Sequence, residues 1–141
     1  MIIKRTINGV TRRYVEYMTR YYEDDIDITD AFQVDSGLTY DSTATATVSG
    51  LDHLEGEAVK VMLDGKAHPD LTVTSGAITL ANDRTGSTIQ IGLANTWVIK
   101  TLEIEAGAKD GTAQGKTKRI HNIVLKLLNT LGMNYGPNST T

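Results

Sequence analysis

The amino-acid sequence predicts an all-β protein, a small sandwich or barrel preceded by a β-hairpin arm, and three observations carry that prediction. Of its 141 residues, 41 are β-branched (20 Thr, 12 Ile and 9 Val), against 6 Glu and 11 Ala. Branched side chains lose rotamer freedom in a helix and pack well on a pleated surface. Apolar residues recur at period two in short runs, as half-buried strands require. Thirteen glycines, several in Asn-Gly, Asp-Gly and Ser-Gly pairs, close those runs at short intervals, which suits the turns of a sandwich or barrel.

Residues 1–22 read as the hairpin arm: Ile2 to Ile7, the Asn8-Gly9 turn, then Val10 to Met18. Asn-Gly is the preferred pair for a two-residue type I′ turn, where both residues take positive φ. One face mixes Arg12, Tyr14 and Glu16, the other Arg13, Val15 and Tyr17. Neither is plainly apolar, and an isolated hairpin is marginal in water, so the arm is expected to lean on something else. Residues 23–30 hold five acids in eight positions and read as a linker kept extended by its own repulsion. Calcium ligation is the sharper alternative, but the run lacks the spacing and the glycine of an EF-hand loop.

The domain itself is expected over 31–136. Phe32 to Asp35 ends at Ser36-Gly37, and Thr43 to Ser49 alternates Thr with Ala44, Ala46 and Val48. Ala58 to Leu63 places Val59, Val61 and Leu63 on one face before an Asp64-Gly65 turn. His68-Pro69 reads as a turn element. Leu71 and Val73 alternate with Thr72 and Thr74, Ser75-Gly76 turns the chain, and Ile78 with Leu80, then Ile89, Ile91 and Leu93, repeat the pattern. Val98 to Glu105 alternates Leu102 and Ile104 with acids. Residues 120–131 admit two readings: an amphipathic helix through Ile120, Ile123, Val124, Leu127, Leu128 and Leu131 ending at Gly132, or a strand with Ile123, Leu125 and Leu127 on one face. Residues 137–141 carry nothing to bury and are expected to fray.

A chain of this length suits one core, and 40% hydrophobic residues supply it without a staple. The absence of cysteine excludes thiol catalysis, thiolate metal sites and disulfides. Apolar runs of a few residues fit neither a transmembrane helix nor a secretory h-region. Charge is segregated: residues 1–22 carry +4, residues 23–105 carry −11 and residues 106–141 carry +4. An acidic middle repels phosphate, so only the two ends could offer the clustered bases that duplex binding needs.

Few motifs carry chemistry. Asp110-Gly111-Thr112-Ala113-Gln114-Gly115-Lys116-Thr117 ends like a phosphate-binding loop, with Lys116 for the β/γ oxygens and Thr117 for magnesium. Asp110 stands where the first glycine should be, and only 24 residues follow Thr117. His53, His68 and His121 show no ligand or triad spacing, and there is no Gly-x-Ser-x-Gly elbow. Trp97 with Tyr40 could form an aromatic platform for sugar. Lys116, Lys118 and Arg119 form a compact basic group that could meet Asp24, Asp25 and Asp27 of a neighbouring copy in a head-to-tail contact. No catalytic residue, cofactor or metal site is expected.

Arg5-Thr6-Ile7-Asn8-Gly9-Val10-Thr11-Arg12-Arg13-Tyr14-Val15-Glu16, Val34-Asp35-Ser36-Gly37-Leu38-Thr39-Tyr40, Gly50-Leu51-Asp52-His53-Leu54-Glu55-Gly56, Asp64-Gly65 with His68-Pro69, and Gly111-Thr112-Ala113-Gln114-Gly115-Lys116 with Lys118-Arg119-Ile120 resemble, in order, a stretch of the tail nozzle or tail tubular protein B-like family of tailed phages and prophages. Copies of that stretch often bear the label of a ubiquitin-activating-enzyme FCCH-like domain, which describes a small β-barrel shape and not ubiquitin chemistry. The resemblance implies an immunoglobulin-like or FCCH-like barrel and a strand after Arg119. Members are far longer, so it also implies a fragment or stand-alone remnant of a larger protein.

The expected function is accordingly a non-enzymatic structural module of a phage tail, made in the host cytoplasm and residing in the virion. Its expected partners are copies of itself, other tail proteins, and DNA that passes the conduit without specific binding. A carbohydrate-binding or adhesin-type β-module using Trp97 or Tyr40 is the alternative.

Overall fold

Among the described residues, eight strands and two 3-10 turns follow in the order β1 (Ile2–Ile7), β2 (Val10–Val15), a turn at Ile28–Asp30, β3 (Asp35–Thr45), β4 (Thr47–Ser49), a turn at Asp52–Leu54, β5 (Ala58–Leu63), β6 (Lys66–Thr72), β7 (Ala77–Thr79) and β8 (Gly86–Leu93). The computed structural model describes residues 1–20, 23, 25–102, 105, 111–128, 130 and 133–136. The chain divides into two units, Met1–Asn95 and Thr96–Thr141.

All eight strands belong to the first unit, and every pairing among them is antiparallel. β1 and β2 form a hairpin; β3, β8, β5 and β6 form a four-stranded sheet in that order; β4 and β7 form a second, two-stranded sheet. The predicted all-β fold with an N-terminal hairpin is what the structure has. Val59, Val61 and Leu63 of β5 and Ile89 and Ile91 of β8 meet Val48 of β4 and Ile78 of β7 in one buried cluster, closed by Leu51, Leu54, Val73 and Leu80 from the connections. Side chains of the two sheets thus share one core, the arrangement of a small β-sandwich.

Local chemistry explains the elements. Asn8 and Gly9 take φ of 46° and 75°, and Asp64 and Gly65 take 45° and 74°, the mirror-image turn that matches strand twist in two-residue hairpins. β5 coincides with its predicted span. The predicted Ser36-Gly37 turn is instead a bulge within β3, where the register shifts between Asp35 and Leu38 and Ser36 has a φ of 48°. His68-Pro69 is no turn either. Both residues lie in β6, and because β6 is an edge strand the missing proline N–H costs no interior ladder bond.

Gly37 and Gly92 mark where β3 and β8 come closest. A Cβ on Gly37 would stand 2.6 Å from the Ile91 carbonyl oxygen, and one on Gly92 would stand 2.8 Å from the Gly37 Cα. The obstacle is backbone, which cannot rotate away. Gly92→Ala is therefore expected to cost about 2 kcal/mol through overpacking, read as a fall in the denaturant midpoint. A loss under about 0.5 kcal/mol would show that the two strands part freely.

The acidic run is not extended throughout. Asp27 caps the 3-10 turn at Ile28–Asp30 by accepting from the Thr29 amide at 3.0 Å, and the Thr29 carbonyl accepts from Gln90 Nε2 at 3.4 Å. The second unit holds no strand among its described residues. Val98, Ile99 and Leu102 are exposed, as are Ile120, Ile123, Val124 and Leu128, so neither the predicted strand over 98–105 nor a helix or strand over 120–128 forms in the described part. Glu103 and Ile104, Leu131 and Gly132, and the tail 137–141 lie outside the described residues.

Candidate functional site

The N-terminal hairpin concentrates the unusual electrostatics of the first unit. Its register places Arg5 opposite Arg12 and Lys4 opposite Arg13, and like charges directly across a strand pair repel. Alternation sends Ile3, Arg5 and Ile7 to one face and Ile2, Lys4 and Thr6 to the other. Ile7 is buried in the core and Tyr14 packs against it, so the first face is the docked one.

Arg5 resolves its part of the repulsion by forming two paired bridges. Its Nε and Nη2 donate to the two Glu16 carboxylate oxygens at 2.7 and 2.8 Å, while Nη1 and Nη2 donate to Asp35 at 2.8 and 2.7 Å. Its side chain is only 14% exposed, and paired guanidinium–carboxylate bonds in such surroundings are the strong kind. Ser36 Oγ donates to Glu16 at 3.2 Å, and His53 Nε2 lies 2.9 Å from the Ser36 carbonyl oxygen. The Arg5 hydrogen bond holds the Glu16 carboxyl below its usual range. The two acids, Glu16 first, raise the guanidinium further above its own range. At the hairpin tip the Asn8 amide donates to Glu57 at 2.7 Å. The arm is therefore tied to the residues of the sheet side through Arg5, Glu16 and its tip.

Lys4, Arg12 and Arg13 have no such acceptors among the described residues. With Thr11 they line a shallow hollow of about 530 Å³, flanked by Ile2 at 74% and Val15 at 87% exposure. Lys4 and Arg13 stand opposite each other on the outer face with Ile2 and Val15, whereas Arg12, opposite Arg5, is exposed on the other face. Sequence reasoning passed over this face. Its signal was the +4 of residues 1–22 combined with the period-two alternation of β1 and β2.

The residues expected to form a subunit contact are differently placed. Asp25 and Glu23 accept from Arg20 at 3.0 Å each; Asp27 is spent on Thr29, whose amide bond above all holds its carboxyl below the usual range; Asp24 lies outside the described residues. Two of the three acids thus have partners within their own chain. Lys116, Lys118 and Arg119 belong to the second unit, where all three are exposed.

The phosphate-loop look-alike is a turn organised by an acid. Glu105 accepts from the Ala113 amide at 2.8 Å and the Thr112 hydroxyl at 2.9 Å, Thr112 accepts from the Gln114 amide at 3.1 Å, and the Lys116 amide donates to Ala113 at 3.3 Å. Three of the amides that a phosphate would need are already engaged.

Tyr40 is half-buried against the core and donates its hydroxyl to the Thr43 carbonyl at 2.7 Å, whereas Trp97 is 82% exposed. His68 is buried in β6, with Nδ1 donating to the Pro69 carbonyl at 2.8 Å and Nε2 accepting from the Ala81 amide at 3.2 Å. Both ring nitrogens are structural. Among the described residues no group of three or more metal-ligating side chains converges, and no helix is long and apolar enough to cross a membrane. No protein-family model matches the chain, and no curated protein matches it.

Proposed function

We propose that this chain is a non-enzymatic structural module of a phage or prophage tail, of the nozzle or tubular kind, that works in the virion by assembling with its own copies and other tail proteins. One observation carries the reading: Arg5 bonds the hairpin to the sheet, while Lys4 and Arg13 stand on its outer face with no acidic partner among the described residues. A rigidly mounted charged face with apolar flanks suits a contact between building blocks. The polar side chains of the first unit support it too, since Glu55, Glu57, Asp64 and His68 each hold backbone amides. The test is the solution mass of the whole chain by sedimentation across concentration. A mass rising above 15.3 kDa is expected, and a persistent monomer at high concentration would overturn the reading.

The exposure of Trp97 favours one second reading, a sugar-binding β-module. Titration with oligosaccharides that quenched or blue-shifted Trp97 fluorescence would support it, and an unchanged spectrum would end it.

A further inference from the structure

The four-stranded sheet separates the cationic hairpin from a carboxylate-rich end. The hairpin sits where β3 begins, where β8 ends and where β5 begins, because Arg5 holds Asp35, Asp35 pairs with Leu93, and Asn8 contacts Glu57. At the opposite end stand the β5–β6 turn, the start of β8 and the middle of β3. There Asp64 accepts from the Ser87 and Thr88 amides at 3.1 and 2.9 Å, and Asp41 lies opposite Thr88. The 3-10 turn flanked by Asp27 and Asp30 packs on the same corner, since a Cβ on Gly65 would meet Ile28 Cγ2 at 2.9 Å. Asp27, Asp30, Asp41 and Asp64 outnumber the bases nearby in sequence, Lys66 and Arg84.

β8, with 8 residues, spans roughly 25 Å between these ends. That exceeds the screening length of about 8–10 Å at physiological salt, so the acids of the far end do not neutralise Lys4 and Arg13 of the same copy. Among the acids nearer the hairpin, Glu16 and Asp35 are committed to Arg5, Glu57 to Asn8, and Glu55 to the Ser75 and Gly76 amides, and Asp52 is exposed. Two cationic faces meeting each other would repel. Opposite charge at opposite ends of one rigid body favours a heterologous contact, which repeats into a ring or a filament.

We propose that Lys4 and Arg13 of one copy dock on the Asp30/Asp41 end of the next copy, so that subunits associate head to tail along the sheet. The proposal rests on the building-block reading and names its contact. It replaces the contact expected from sequence, between the 116–119 bases and the acidic run, with two surfaces of the first unit.

Charge exchange in the full-length chain tests it. Lys4→Glu/Arg13→Glu alters the outward face and leaves the Arg5 bridges in place. Asp30→Lys/Asp41→Lys alters the far end and spares the turn-holding Asp27 and Asp64. Wild-type chain at about 50 mM salt should associate, and about 500 mM salt should dissociate it. Each double variant alone should associate at least about tenfold more weakly. An equimolar mixture of the two variants should regain assembly, because each altered end then meets its opposite, and this recovery also shows that both variants are folded. Association in the wild type that neither variant weakens, or a mixture that fails to recover, overturns the contact while leaving the building-block reading intact. A wild type that stays monomeric at low salt overturns both. Should only a short DNA duplex bring wild-type chains together, with Lys4→Glu/Arg13→Glu abolishing the effect, the hairpin serves phosphate and the proposal falls.

Discussion

Replacing Ile91 by alanine is expected to cost about 4 kcal/mol of folding stability, within the range seen when a fully buried branched side chain leaves a cavity. Ile91 has no exposed surface. It stands on β8, a strand hydrogen-bonded on both sides, opposite Leu38 of β3 and Val61 of β5. With Gly37 lying against its carbonyl oxygen, the backbone there has little room to collapse into the space left. Domains of this size are stable by about 5–15 kcal/mol in all, so the loss is a large share. Leu102→Ala is the companion measurement. Leu102 is 92% exposed, and its truncation should change stability by less than about 0.5 kcal/mol. Denaturant unfolding followed by circular dichroism is the suitable readout, since Trp97 is exposed and reports poorly on the core. Similar costs at both positions would contradict the burial of Ile91 and the exposure of Leu102.

The contrast between those two leucine-class positions also shows how far the sequence could be read. Period-two alternation located β5 to the residue and placed Val59, Val61 and Leu63 on the inner face, because that strand is bounded by turn chemistry at one end and carries a clean apolar face. The same pattern at Val98–Leu102 describes which face would be buried if a sheet were there to receive it. Alternation says nothing about whether that sheet exists. His68-Pro69 misled for a related reason: proline marks a turn or an edge strand equally well, and edge position is a property of the sheet order, which no local window contains. Ala46, where β3 gives way to β4, sits in a run of alternating Thr and Ala whose small side chains give no hint of a change of sheet.

The candidate site was legible only in its totals. The excess positive charge of residues 1–22 was plain, but Arg5, Glu16 and Asp35 are separated by up to 30 positions, and nothing local distinguishes Arg5, which is neutralised, from Arg12 opposite it or from Arg13. Strand alternation puts Arg5 with Ile3 and Ile7, and that grouping was the one available sign that Arg5 faces inward. Which acid it meets there depends on where β3 begins, a tertiary fact.

Arg5→Ala is expected to cost about 3 kcal/mol, near the lower end for breaking a largely buried bridge by removing one partner. Two carboxylates would then face each other: Asp35, with its side chain 48% exposed, can turn to water, but Glu16, only 17% exposed, stays poorly solvated. Arg5→Met combined with Glu16→Gln should recover part of the loss, since the uncompensated charge disappears with the cation. The pH dependence follows from the same contact. Arg5 holds the Glu16 carboxyl below its usual range, so in this region the unfolded chain binds the proton more readily than the folded one. The contribution is present in full above the ordinary glutamate value of about 4.3 and is lost as pH falls through the depressed folded value. Wild type and Glu16→Gln should therefore differ most near neutrality and converge as pH falls through that depressed folded value. The loss should be local first. Amide exchange of Lys4 to Ile7 is expected to quicken more than that of β5 or β8, because the hairpin loses its strongest tie and keeps Ile7, Tyr14, the Ser36–Glu16 bond and the Asn8–Glu57 bond. Unchanged hairpin protection in Arg5→Ala, with a stability cost under about 0.5 kcal/mol, would mean that apolar packing alone mounts the hairpin and that the double bridge is a surface ornament.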